Sequence, residues 1–228
     1  MSYQLKNVNL IYDIDKGAGT TALRNINLSL DEKGLIGILG PSGSGKSSLL
    51  YILAGLKFPT SGQVLYGDMD FRVSAPSILA SLRRKEFGFI FQQHFLINYM
   101  TVLENVLVPV NLNNKRTRDK AMTLLKKLGV DKLASKYPYQ LSGGQRQRVA
   151  IVRALINDPK VIFGDEPTAA LDHESAGEVM ALLSDYTENT IVVIVTHDES
   201  ILKNAGRIIR MWDGAISEIC TPSQETDQ

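Results

Sequence analysis

Apolar positions change their period along this chain, and the changes divide it. Leu5, Val8 and Leu10, then Leu23, Ile26, Leu28 and Leu30, make short, nearly alternating runs that predict β-strands up to about Leu35. The unbroken run Leu35-Ile36-Gly37-Ile38-Leu39 predicts a buried strand, and Ser48-Leu49-Leu50-Tyr51-Ile52-Leu53-Ala54 soon after it predicts a helix. From about Gln93 to Val152 the period becomes helical: Thr101 and Glu104 form a capping-box pair, and Met122, Leu124, Leu125 and Leu128 recur at helix spacing. Strand and helix then alternate again, with Val161-Ile162-Phe163-Gly164 and Thr190-Ile-Val-Val-Ile-Val-Thr196 as strands. The pattern is one core with an inserted helical segment. The polar end, residues 221–228, predicts disorder.

Between the strand ending at Leu39 and its helix lies Gly40-Pro41-Ser42-Gly43-Ser44-Gly45-Lys46-Ser47-Ser48. Strand, glycine-rich loop and helix in that order is the context a phosphate-binding loop requires. Gly40, Gly43 and Gly45 let the backbone turn its N–H groups inward, and the helix start directs its positive end toward the same phosphates. Lys46 supplies a point charge, and the Ser47 hydroxyl can ligate Mg²⁺. The strand Val161–Gly164 ends in Asp165-Glu166, at the carboxyl edge where open α/β sheets bind ligands. Asp165 is the expected Mg²⁺ partner and Glu166 the expected base that orients the attacking water. The strand Thr190–Thr196 delivers His197 to the same edge, within reach of a γ-phosphate or of that water. His94 and His173 lack such placement and read as ordinary surface residues.

Composition narrows the class. The chain of 228 residues is long enough for a sizeable core, and its net charge of +1, with both signs mixed along the length, gives no electrostatic argument for nucleic acid. Cys220 stands alone, so a disulfide framework or cysteine-rich metal site is not expected, and the thiol reads as lying near a frayed end. No apolar run approaches the roughly 18 residues needed to span a bilayer, and the first residues lack the basic start and apolar stretch of a signal peptide. Direct membrane insertion is therefore not expected, and membrane contact has to come through a partner.

In order, the phosphate loop, Gln92, Leu141-Ser142-Gly143-Gly144-Gln145, Asp165-Glu166, Ala170-Leu171-Asp172 and His197 resemble the nucleotide-binding subunit of an ATP-binding-cassette transporter, over about Ser2 to Ile219. Phe89-Ile-Phe-Gln92, Leu103-Glu-Asn-Val-Leu-Val-Pro109 and Gln145-Arg-Gln-Arg-Val-Ala150 are similar to the branch of lipoprotein-releasing, macrolide-exporting and division-associated subunits. Ala169 stands where that branch often has glycine, and Val152 where alanine is usual.

The resemblance implies an α/β fold: a P-loop core with a mostly parallel sheet, an N-terminal antiparallel β subdomain, and an α-helical subdomain inserted at about 93–152, residues 1–220 forming a single nucleotide-binding domain. It implies that Tyr12 stacks on adenine, and that Gln92 touches Mg²⁺ and the attacking water. Ser142, Gly143, Gly144 and Gln145 would meet the γ-phosphate held by an opposing subunit, and Asp172 would link the two sites. Ser142 also reads from its own chemistry as the N-cap of a helix running to about Leu155. The implied cofactors are ATP and Mg²⁺. The implied partners are a second copy of the chain and an integral membrane permease, which would hold the protein at the inner face of the cell membrane. An ATP-gated clamp that signals mechanically through a membrane scaffold is the alternative within the branch. DNA-repair and translation relatives carry a long coiled coil or a second cassette, and this chain has neither.

Overall fold

The computed structural model describes residues 2–12, 19–31, 33–110 and 114–221; all of the expected tail except Thr221 lies outside them. Among the described residues, ten strands and six α-helices follow in order: β1 Tyr3–Tyr12, β2 Thr20–Leu30, β3 Gly34–Leu39, α1 Lys46–Leu53, β4 Ser61–Tyr66, β5 Met69–Asp70, α2 Pro76–Glu86 and β6 Phe87–Ile90. Next come α3 Val102–Leu107, α4 Lys115–Lys127, α5 Gly143–Leu155, β7 Val161–Asp165, α6 His173–Ser184, β8 Ile191–Thr196, β9 Arg207–Trp212 and β10 Ala215–Cys220. They make a four-stranded antiparallel sheet, β2-β1-β4-β5, and a six-stranded sheet, β10-β9-β3-β8-β7-β6, parallel except for β10 at one edge.

The spacing of three between Leu5 and Val8, and between Leu23 and Ile26, has a structural cause. Register shifts interrupt the β1–β2 ladder there, and Asn7 (φ 49°) and Asn25 (φ 46°) take the left-handed conformation that asparagine tolerates. The two irregularities brace each other: the Asn7 N–H donates to Asn27 Oδ1 at 2.9 Å, and the Asn25 N–H donates to Asn9 Oδ1 at 2.8 Å. Each extra residue returns the next apolar side chain to the inner face, so Leu5, Val8, Leu10, Leu23, Ile26 and Leu28 all enter one core.

The parallel strands are apolar without alternation because both their faces are covered. Ile36, Ile38, Val193 and Val195 point into the core beneath the antiparallel sheet, where Phe87 and Phe163 pack edge to face at 5.3 Å. Leu35, Leu39, Val192 and Ile194 enter the second core, covered by α3, α4, α5 and α6. Register aligns the strand ends: Leu39 lies opposite Thr196, Asp165 opposite Val195, and Ile90 opposite Gly164. The loops after β3, β6, β7 and β8 therefore leave from one edge of the sheet.

Two details differ from the sequence reading. The segment before the helical stretch holds β4, β5, α2 and β6, none of which the apolar period revealed; α2 buries only Leu79 and Leu82. Residues 93–101 carry no helix, because the buried Asn105 donates from Nδ2 to the carbonyls of Ile97, Met100 and Thr101 and accepts from the Ile97 N–H at 2.7 Å, satisfying that loop from within. Cys220 pairs with Ile208 as the last residue of β10.

Candidate functional site

The phosphate loop is shaped by what crowds it. Gly40 (φ 157°) has the Met211 carbonyl 2.4 Å from where a Cβ would stand, and Gly45 (φ 96°) has the Ala22 carbonyl equally close, so β9 and β2 leave room only for glycine. The Gly214 N–H donates to the Ser44 carbonyl at 3.1 Å, fastening the β9–β10 turn to the loop. No side chain caps α1, whose first turn carries no acidic residue, leaving its amino end suited to an anion. Lys46 is 8% exposed, and its ammonium donates to the carbonyls of Gly40 at 2.7 Å and Pro41 at 2.8 Å. Burial lowers its pKa, while the nearby Glu166 and Asp165 charges oppose that shift.

Opposite the loop, the buried Asp165 accepts from Ser47 Oγ at 2.9 Å and from the Tyr51 hydroxyl at 2.8 Å. Burial and that hydrogen bond push the Tyr51 phenol up to about 12, so it stays a donor throughout the working range of pH. Glu166 occupies a left-handed turn, φ 49°, and its N–H donates to the Val195 carbonyl at 2.9 Å. Three donors hold its carboxylate: Oε2 accepts from the Thr196 hydroxyl at 3.1 Å, and Oε1 lies 3.1 Å from the His197 N–H and 2.8 Å from His197 Nδ1. The pKa of the exposed His197 is raised, first by its hydrogen bond to Glu166 and then by that carboxylate's charge. Thr196, 1% exposed, also accepts the Asp198 N–H at 3.0 Å, which fixes its rotamer.

A cleft of about 720 Å³ gathers Tyr12, Ser42, Gly43, Gly45, Lys46, Ser47, Ser48, Gln92, Asp165, Glu166 and His197. Gly40, Pro41 and Ser44 lie behind it as the turn of the loop, the Ser44 hydroxyl being buried without a partner. Tyr12 reaches the Ser48 hydroxyl at 3.2 Å, and the Lys57 ammonium stands 5.3 Å from the centre of its ring.

Ser142, Gly143, Gly144 and Gln145 do not line this cleft. They open α5 with a capping box: Ser142 Oγ accepts the Gln145 N–H at 3.2 Å, and Gln145 Oε1 accepts the Ser142 N–H at 2.9 Å. Nothing lies within 4 Å of a Cβ built on Gly143. Asp172 caps α6, accepting the Ser175 N–H and hydroxyl, each at 2.9 Å, and these bonds hold its carboxyl below the usual range. His94 is not an ordinary surface residue. It is partly buried, its Nε2 has no partner, and burial together with the Arg146 and Arg153 charges lowers its pKa.

Sequence reasoning missed Tyr51 and Thr196, which orient the two carboxylates. Each is brought to its partner by the fold, across 114 and 30 residues of chain respectively.

Fold and site together define a P-loop ATPase cassette. Residues 23–169 match the ABC transporter family, and the chain belongs to it. The ABC transporter ATP-binding protein MJ1508 of Methanocaldococcus jannaschii is 48% identical over 221 residues, covering 95% of this chain and 98% of the relative. The putative hemin import ATP-binding protein HrtA of Staphylococcus haemolyticus is 41% identical, covering 95% and 99%. A lipoprotein-releasing system ATP-binding protein, LolD 1 of Chlorobium chlorochromatii, is 40% identical, covering 94% and 89%. Among solved structures, the ATP-binding cassette MJ0796, as a dimer in a post-hydrolysis state bound to ADP and Pi, superposes with a TM-score of 0.90 at 38% identity, covering 96% of this chain and 98% of that one. The protein is thus the ATP-binding, ATP-hydrolysing subunit of an ABC system.

Proposed function

We propose that two copies of this chain close face to face on Mg-ATP, each completing the other's site, and that closure drives a membrane permease. One observation carries the reading: the cleft holds the phosphate loop, Asp165, Glu166 and His197, whereas the self-capped start of α5 at Ser142–Gln145 lies outside it, with open space where a Cβ on Gly143 would stand. A second chain can bring that helix end to the phosphate. The dimeric form of the MJ0796 cassette supports this arrangement.

Ser47 and Asp165, a hydroxyl and a carboxylate in mutual contact, are the hard oxygen donors that Mg²⁺ prefers, and with Gln92 they would hold it against the nucleotide. When bound, Mg²⁺ supplies positive charge to the phosphate oxygens. Glu166 orients a water whose oxygen attacks the γ-phosphorus and draws its proton away as the bond to the β–γ bridging oxygen breaks. Lys46 and the amide groups of Gly43 and Gly45 offset the charge gathering on the phosphate oxygens, and His197 contacts the γ-phosphate while tethered to Glu166. Tyr12 would offer adenine the face of its ring, and Asp172, exposed at the start of α6, would meet the other chain.

No helix among the described residues is long and apolar enough to cross a membrane. A groove of about 510 Å³ between α2, β6 and the end of α3, floored by Phe87, Phe89 and Phe91 and edged by Arg83, Arg84 and Arg153, suits a short helix from a permease. That contact would keep the subunit at the inner membrane face, on the lipoprotein-releasing and macrolide-exporting pattern. The test is size-exclusion chromatography of Glu166→Gln protein with and without Mg-ATP, beside phosphate release by the unmodified chain. A nucleotide-dependent dimer of the variant, with hydrolysis confined to the unmodified protein, is the expected result; a monomeric variant that turns over normally would overturn both roles.

A further inference from the structure

One face of α5 is bound to the segment that begins at Glu166. Gly144, Gln147 and Arg148 share that face at helix spacing. The Cβ position of Gly144 is 3.3 Å from Leu171 Cδ2, and the Arg148 guanidinium bonds the hydroxyl of Ser175, which itself bonds Asp172. Between these contacts Gln147, 1% exposed, donates from Nε2 to the Pro167 carbonyl at 2.8 Å. Its Oε1 is buried with no hydrogen-bond partner. Leucine or methionine would fill a similar volume without the unpaired Oε1, but either would leave the buried Pro167 carbonyl without this donor. What the amide supplies is a bond to the residue after Glu166, at a turn already held in a left-handed conformation.

We propose that Gln147 is a positioning residue that couples the two ATP sites. The inference rests on the dimer reading. In that dimer the amino end of α5 meets the nucleotide held by the other chain, while Glu166 serves the nucleotide on its own loop. A displacement of α5 on meeting the opposing phosphate passes through the Gln147 amide to Pro167 and thence to the backbone of Glu166. Each site therefore adjusts the base of the other.

The test compares the unmodified full chain with Gln147→Leu and Gln147→Met; the unbranched methionine guards against a packing fault peculiar to leucine. Phosphate release is measured against ATP concentration, with thermal midpoint and the affinity for a fluorescent ADP analogue measured alongside. The unmodified chain should show a sigmoid ATP dependence. Both variants should lose about tenfold in kcat and become hyperbolic, with ADP affinity kept within about twofold, because one hydrogen bond to the catalytic turn is gone while the loop is untouched. Variants that keep both kcat and the sigmoid form overturn the proposal, as do variants whose thermal midpoint, kcat and ADP affinity fall together with the sigmoid form retained. Dimerisation of Glu166→Gln protein separates the two readings: if that protein dimerises on Mg-ATP and the Gln147 variants are unchanged, only the coupling fails, and if it never dimerises, the dimer reading fails and takes the coupling with it.

Discussion

The two glycine-rich helix starts of this chain, the loop before α1 and the start of α5, are built in opposite ways. The loop is enclosed: β2 and β9 press on Gly45 and Gly40, Lys46 is buried, and Ser47 and Tyr51 already grip Asp165. The start of α5 is open, its cap closed by its own Ser142 and Gln145 and the space where a Cβ on Gly143 would stand empty. The first end is organised to hold a ligand within one chain. The second keeps its helix stable without a ligand, which is what the proposed site shared between two chains would demand.

Breaking the enclosed end should cost most. Lys46→Ala removes a charged donor, and at about 1.5–3 kcal/mol for such a bond ATP should bind roughly ten- to a hundredfold more weakly by calorimetry. Thr196→Val removes one of three donors to Glu166. It should lower kcat by about tenfold with KM nearly unchanged, and Thr196→Ser should restore most of the rate, because the hydroxyl orients the base without touching substrate.

At the open end the comparison sharpens against an ordinary helix cap. Thr101 caps α3 with the same capping box that Ser142 makes for α5. Ser142→Ala and Thr101→Ala should each lower stability by about 1 kcal/mol in denaturant unfolding. Only Ser142→Ala should also slow phosphate release; equal effects on hydrolysis would remove the distinction between the two helix ends.

The smallest effect is a titration. His197 should titrate above its ordinary 6.5 by NMR, and in Glu166→Gln it should fall back toward 6.5, since Glu166 is the first cause of the shift. Because the folded value is the raised one, whatever stability the pair contributes is fully present below 6.5 and lost as pH rises through the folded value.

Much of the enclosed end could be read from the sequence, because its chemistry is spelled by adjacent residues: glycines, lysine and serine between a strand and a helix, and two acids after an apolar run. The capping box at Thr101 and the N-cap at Ser142 were legible for the same reason, each a matter of neighbouring residues. Tyr51, Thr196 and Gln147 were not, since each acts on a residue far off in the chain or across a packed interface, and an apolar or polar pattern does not name its partner. Helix α2 escaped because two buried leucines make a faint stripe, although Pro76 at its first turn was a usable signal. The irregular spacing around Asn7 and Asn25 marked strands correctly but concealed that they are two long ones, bent by register shifts rather than broken.

The central claim, that each site is made by two chains, is tested most directly by mixing two inactive variants. Lys46→Ala spoils the loop and leaves α5 intact. Gly143→Asp sets a carboxylate before the phosphate at a position with open space and no positive φ, so the fold tolerates it. Each variant alone should release no phosphate in a single-turnover assay. Mixed, they should release it, because a mixed dimer contains one site with a sound loop from one chain and a sound helix from the other; if the mixture stays as silent as its parts, the site lies within a single chain and the account is wrong.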